Sequence, residues 1–239
     1  MRIHKWLSQK GICSLRKAEE LIAQGKVLVN GKKAIIGQNI DEHKDEVEVH
    51  GKKVGRSSIV LKYYMLYKPT GVLCSAIREG EKPCLYDLDS IKRLRLKLNY
   101  AGRLDFFSEG LLLMTNDGQF CNRMLHPRYK LLKSYRVESN YELPAKAIRE
   151  LHHGIELQDG LVSAQVVAST TSKNVYEICL TLGRNRIIRR MFEHYGLHIK
   201  RLKRISIGPV KLDTRLKPGE LRELTKSELY LLTKLTHLD

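Results

Sequence analysis

Gly102-Arg103-Leu104-Asp105-Phe106-Phe107-Ser108-Glu109-Gly110-Leu111-Leu112-Leu113-Met114-Thr115-Asn116-Asp117-Gly118 decides how the rest of the chain is read. The apolar run Leu111-Leu112-Leu113-Met114 is short and bounded by Gly110 and by an Asn-Asp-Gly turn, so it reads as a buried strand. Asp105 stands just before that strand. Residues 92–103, which lead up to it, carry Lys92, Arg93, Arg95, Lys97 and Arg103 and no acid. A carboxylate among guanidinium groups is favoured in its charged form. It either neutralises an arginine in a structural ion pair or does chemistry, and position alone leaves both open.

Toward the N-terminus the pattern changes. Ile3, Trp6 and Leu7 recur at helical spacing, and Gly11 ends that helix. Ser14 can cap a second helix running to about Gln24, with Ala18, Leu21 and Ile22 on its apolar side. Val27-Leu28-Val29, a turn at Asn30-Gly31, Val47-Glu48-Val49 and a turn at His50-Gly51 follow. Residues 1–57 therefore read as a small module of two helices and a β element. Residues 51–58 read as a linker to a larger domain, 58–239. Arg2, Lys5, Lys10, Arg16 and Lys17 lie on or beside the two helices and suit a phosphate-facing surface.

Toward the C-terminus, strands are expected at Tyr63–Tyr67, from Tyr135, and near 162–168, 175–182 and 199–207. Val72-Leu73-Cys74 is expected to be extended. Helices are expected at 119–126, at Ala145–Gly154 and at about 185–195. Thr225-Lys226-Ser227-Glu228 is a capping box opening a last helix, with Leu229, Leu232 and Leu235 on its buried side. Strands and helices alternate irregularly. That favours an α+β fold with a mostly antiparallel sheet over a doubly wound parallel one.

The 239 residues hold 43 Lys+Arg against 26 Asp+Glu, a net charge of +17, with 42% apolar residues. The apolar share separates the chain from disordered polycations, and the charge points to a polyanion, nucleic acid first. No apolar run approaches a membrane span, and no secretory leader or lipidation motif is expected. Cys13, Cys74, Cys84, Cys121 and Cys179 are scattered without a C-x-x-C pair, which fits reduced thiols in the cytoplasm rather than a disulfide or zinc framework. There is no phosphate-cradling or dinucleotide-binding glycine loop, no H-E-x-x-H and no deaminase signature, so neither cofactor nor metal is expected. His152-His153 are adjacent on a helix, where side chains diverge.

From Arg184 to Arg204 eight basic residues accompany the single acid Glu193. If 185–195 is helical, Arg186, Arg189 and Arg190 share one face, which suits RNA phosphates. With these residues the whole chain resembles the ribosomal RNA pseudouridine synthases of the RsuA/RluB type. The resemblance begins with an S4-like RNA-binding module from Arg2 to about Val54. It runs through Lys68-Pro69-Thr70-Gly71, the stretch from Gly102 to Gly118, and Lys133-Ser134-Tyr135. It ends with Gly183-Arg184-Asn185-Arg186, Arg189-Arg190-Met191-Phe192, Gly196 and Gly208-Pro209.

Such enzymes break the N1–C1′ bond of a uridine, turn the base and rejoin it through C5, without a cofactor. The resemblance implies that Asp105 is the catalytic aspartate, attacking sugar or base or removing a ribose proton. It implies that Arg189 is the basic residue paired with it, and that Tyr135 stacks the uracil. Leu180 matches an apolar position of the uracil pocket. Arg103 enters the RNA helix or binds a phosphate, and Arg184, Arg186 and Arg190 join the RNA surface. The chain departs from the usual family wording at Leu182, Ile187 and Phe107. The expected partner is ribosomal RNA, with large-subunit RNA favoured over small, and the enzyme is expected to be a monomer. The competing expectation is a non-catalytic ribosomal RNA-binding or assembly factor that keeps the fold.

Overall fold

In the computed structural model, residues 1–55, 60–169 and 172–237 are described. The expected boundary at 57/58 lies outside them. The chain divides into two compact units, Met1–Lys62 with Asn116–Gly118, and Tyr63–Thr115 with Gln119 onward.

The first unit follows its sequence pattern closely. Helix α1 spans Ile3–Gln9 and α2 spans Leu15–Ala23. The Ser14 hydroxyl accepts the Lys17 N–H at 3.3 Å, satisfying one of the orphan donors at the start of α2. Strands β1 (Val27–Val29), β2 (Lys32–Lys33), β3 (Val47–Val49) and β4 (Lys52–Lys53) form a sheet in the order β2-β1-β3-β4. Ile3, Trp6, Leu7, Ala18, Leu21 and Ile22 pack with Val27, Val29, Val47 and Val49 into one core. The Arg2 guanidinium donates from Nη1 to the Gly37 carbonyl, which helps staple this unit together, and the residue stays exposed. Arg16 and Lys17 both approach Glu20, at 3.9 and 3.0 Å, on the exposed surface, where such pairs contribute little. Lys5 is exposed.

The second unit contains β5 (Tyr63–Lys68), α3 (Asp89–Lys92), β6 (Asn99–Ala101), β7 (Glu109–Thr115), α4 (Gly118–Leu125), β8 (Lys133–Ser139) and α5 (Ala145–His153). These are followed by β9 (Ile155–Leu157), β10 (Gly160–Val162), β11 (Gln165–Ala168), β12 (Val175–Leu180) and α6 (Ile187–Glu193). The chain finishes with β13 (Ile199–Ile207), β14 (Val210–Lys211), β15 (Leu221–Glu223) and α7 (Lys226–Leu235). The main sheet runs β11-β12-β8-β13-β7-β5-β15, with β14 against β13 and β6 against β7. Its pairings are antiparallel except β7 with β13. The fold is α+β, as the irregular alternation of elements suggested.

The central strands explain the apolar run. Leu111 and Leu113 face one core cluster with Met65, Tyr67, Phe120 and Met124, whereas Leu112 and Met114 face another with Tyr64, Leu66 and Leu98. Buried on both faces, β7 needs no polar alternation. Its four apolar side chains are all at most 1% exposed, each contributing about 2 kcal/mol of burial. A third cluster joins β8 and β12 to α5 and α6 through Val137, Ile178, Leu151, Met191 and Phe192.

Several elements differ from expectation. Residues 162–168 split into β10 and β11. Val72–Cys74 contributes only a bridge from Leu73 to Cys84. In α7, Leu232 is fully buried but Leu235 is 47% exposed, and the buried position one turn beyond Leu232 is taken by Thr236 instead. Helix α6 begins at Ile187, since Arg186 takes a left-handed conformation (φ 48°) and stands outside it.

Candidate active site

The sheet register places one row of residues across five strands. Ile178 pairs with Tyr135, Tyr135 with Arg204, Arg204 with Gly110, and Gly110 with Lys68. The row brings Tyr135, Arg204 and Lys68 together from distant parts of the sequence. Gly110 makes the parallel join possible. At φ +109° it holds a conformation that L side chains rarely adopt, and a Cβ there would lie 2.3 Å from the Arg204 carbonyl oxygen.

Immediately before this join, the segment carrying Asp105 is held by its main-chain carbonyls. Lys68, fully buried, donates from Nζ to the carbonyls of Pro69 (2.9 Å), Asp105 (3.3 Å) and Ser108 (2.8 Å). Arg204 donates from Nε to Leu111 (2.7 Å) and from Nη1 to Arg103 (3.4 Å), one carbonyl at each end of the segment. Arg189 donates from Nη2 to Phe107 (2.8 Å) and from Nη1 to Ile199 (3.2 Å). Three buried cations thus grip five carbonyls between Arg103 and Leu111. Charge-assisted bonds of this kind are about twice as strong as neutral ones.

The arrangement corrects the expectation for Arg189. Its hydrogen bonds go to carbonyls, and among the described residues the Asp105 carboxylate accepts no hydrogen bond and lies in no ion pair. The two side chains nevertheless interact electrostatically. Burial first, then Arg186, lowers the affinity of Arg189 for its proton, and Asp105 opposes that effect. The hydrogen bonds of Arg189 thus reach the loop's backbone, while its tie to the Asp105 carboxylate is through charge alone. Arg189 Nε, Arg204 Nη2 and Ser108 Oγ are buried without a partner, an unusual concentration of unused polar atoms around one loop.

Asp105 opens into a cleft of about 860 Å³. Arg103, Tyr135, Arg184, Arg186, Lys133 and Arg204 line it, with Ser108, Lys130, Leu182 and Ile187. Six basic side chains face it, and Asp105 is its sole acid among the described residues. Glu109, the neighbouring acid, is committed elsewhere. It accepts from the Tyr67 hydroxyl at 3.0 Å and pairs with Arg201.

Three residues expected around Asp105 fall outside the cleft lining: Arg189, buried behind the loop, Arg190 and Leu180. Arg190 is held bidentately by Asp159 at 2.7 and 2.8 Å, and it also donates to the Asn185 carbonyl. The shared arginine face on α6 therefore does not form: Arg186 precedes the helix, Arg189 is buried and Arg190 is neutralised. Leu180 is 3% exposed within the core, while its neighbours Thr181 and Leu182 reach the cleft wall. Sequence reading missed Lys68, Lys133 and Arg204 as site residues. Lys68 was visible only as the start of a Lys-Pro-Thr-Gly turn. Its grip on residues 37 and 40 positions later is a long-range contact.

Burial pushes the ammonium groups of Lys68 and Lys133 down to about 8, with Arg204 adding to the effect at both. Cys74, Asp105 and Glu109 work the other way at Lys68. The ordinary value is 10.5. Between these values the unfolded chain holds protons that the folded chain has released, so the two lysines contribute more stability as pH rises from about 8 to 10.5. Activity takes the opposite direction, because a neutral Lys68 amine has two N–H donors for three carbonyls. A kcat that declines above pH 8 while the urea midpoint holds or rises is the expected result; a flat kcat from about pH 7 to 9.5 contradicts it.

Among the described residues no group of three or more His, Cys, Asp or Glu side chains is placed to hold a metal ion, and Cys74, Cys84 and Cys179 are free thiols. No helix of the described residues is long and apolar enough to cross a membrane.

Comparison with known proteins agrees with this geometry. The family model for RNA pseudouridylate synthases matches residues 62–194, and the S4 domain model matches residues 1–47. The chain belongs to the RNA pseudouridine synthase family, isomerases of uridine in RNA, and carries an S4 domain. It is 38% identical to ribosomal large subunit pseudouridine synthase B of Bacillus subtilis, over 95% of this chain and 93% of that one. It is 39% identical to an uncharacterized RNA pseudouridine synthase of Aquifex aeolicus, over 98% and 94%. A crystal structure of a pseudouridylate synthase superposes with a TM-score of 0.69 at 28% identity, covering 97% of this chain and 99% of that one.

Proposed function

We propose that the enzyme isomerises a specific uridine of ribosomal RNA, large-subunit RNA in preference to small, and that Asp105 is the carboxylate that acts on it. The observation that carries the assignment is a single acid facing six basic side chains in one cleft. The cations not committed to protein carbonyls meet the RNA backbone, and Asp105 is the group left to act on the glycosidic bond. Tyr135, in the cleft wall beside Arg204, supplies an aromatic face for the detached uracil. Lys68, Arg189 and Arg204 position the Asp105 loop. Arg103, Arg184 and Arg186 are the cleft's phosphate ligands, and Arg2, Lys5, Arg16 and Lys17 form an RNA-binding surface of their own on residues 1–57, with catalysis in residues 58–239. The large-subunit preference rests on the likeness to the Bacillus enzyme. The enzyme is taken to act as a monomer in the cytoplasm, without a cofactor.

Mapping pseudouridines in ribosomal RNA with and without the gene tests the proposal. One large-subunit pseudouridine missing from the deletion strain, and restored by the wild-type gene, is the expected result. An unchanged map would overturn it in favour of a non-catalytic binding role.

A further inference from the structure

The loop that holds Asp105 also displays an aromatic ring. Phe107 is 65% exposed. Single exposed apolar side chains are common on protein surfaces and by themselves mean little. Three observations set this one apart.

The first is rigidity. Arg189 grips the carbonyl of Phe107 itself, and Lys68 grips those of Asp105 and Ser108 on either side. The ring projects from a fixed base, not from a fraying tip.

The second is its neighbours. Phe106 packs edge-on against Phe107, with centroids 5.0 Å apart and planes at 81°, and Lys82 Nζ lies 5.5 Å from the Phe106 centroid. The cation stands over Phe106 and Phe106 packs against the exposed Phe107, so the pair carries a charge on one ring and an exposed π-face on the other, the combination that holds a phosphate and stacks its nucleobase.

The third is placement. Asp105 and Ser108 both line the cleft, and Phe107 between them does not. The ring therefore stands beside the cleft, and two residues of chain span at most about 7 Å, the scale of neighbouring nucleotides.

We propose that Phe107 and Lys82 form a stacking subsite for an unpaired nucleobase of the RNA strand, adjacent to the nucleotide that enters the cleft. The inference rests on reading the cleft as the uridine site. Phe107 supplies the π-face and Lys82 the charge on the attached phosphate. Stacking of this kind tolerates any base, so the subsite selects an unpaired, extrudable nucleotide rather than a sequence.

The test uses the full-length enzyme and an unmodified large-subunit ribosomal RNA transcript. Kd, KM and kcat are compared for wild type, Phe107→Ala, Phe107→Leu and Phe107→Trp. Ala and Leu weaken Kd and raise KM by roughly 5- to 100-fold, Trp stays within about threefold of wild type, and the loss falls more on KM than on kcat. Lys82→Gln lowers the slope of log Kd against log salt by about one. Melting temperatures stay at the wild-type value, since the ring is exposed. If Phe107→Leu binds as tightly as wild type, the ring is only an apolar contact and the stacking assignment is wrong. If the wild type forms no pseudouridine while Phe107→Ala still loses RNA affinity, the subsite stands and the uridine reading of the cleft fails.

Discussion

Asp105→Asn leaves an enzyme that binds RNA and does not isomerise it. Asparagine keeps the size of the side chain and removes its charge. The residue stays in place, because Lys68 holds its main-chain carbonyl and nothing among the described residues holds its carboxylate. The melting temperature therefore changes little. The kcat falls by roughly 10³-fold, the scale of a lost acid, base or nucleophile. Affinity for RNA is unchanged or slightly tighter, since the substitution deletes the one acid that, among the described residues, lines a cleft with six basic ones. Single-turnover assays with excess enzyme separate the chemical step from binding. An Asn variant that converts uridine at the wild-type rate removes Asp105 from the mechanism.

The second large effect is on the fold. Gly110→Ala places a Cβ 2.3 Å from the Arg204 carbonyl oxygen and 2.7 Å from its amide nitrogen, on a residue with φ +109°. Both contacts are backbone, so no side chain can swing aside. Forcing the backbone and overpacking the join together cost roughly 3–5 kcal/mol, lowering the melting temperature by roughly 10 °C. The parallel β7–β13 pairing is only two residues long, so it cannot slide to relieve the clash. Activity falls with it, because Arg204 is carried by that join. Gly118→Ala is the control: it has open space, lies in the first turn of α4 and leaves stability unchanged or slightly raised. Equal melting curves for the two variants refute the clash.

Much of the fold was legible because its signals are local. Ser14, Gly25 and the box at Thr225–Glu228 mark helix ends through contacts within four residues. The run Leu111–Met114 marked β7, since a strand buried on both faces has no polar positions. The short strands β6, β14 and β15 were not legible, because each is defined only by the partner it pairs with. The same limit applied to the site. Asp105 stood out by its basic surroundings, and Tyr135 by resemblance. Arg190 looked like an RNA ligand because its partner, Asp159, is 31 positions away. The row that joins Tyr135, Arg204, Gly110 and Lys68 exists only once five strands are in register.

The loop from Arg103 to Leu111 is gripped through its carbonyls, and every residue type has a carbonyl. Identities at 106 and 107 can therefore be exchanged without disturbing where Asp105 sits. Catalysis and grip on the RNA strand become separable variables: the loop's hold on RNA can be retuned through the exposed Phe107 and the half-buried Phe106, with the position of Asp105 inherited intact. Directed libraries at those two positions would return active enzymes spread over a range of RNA affinities, whereas libraries at Lys68, Arg189 or Arg204 would return mostly inactive protein.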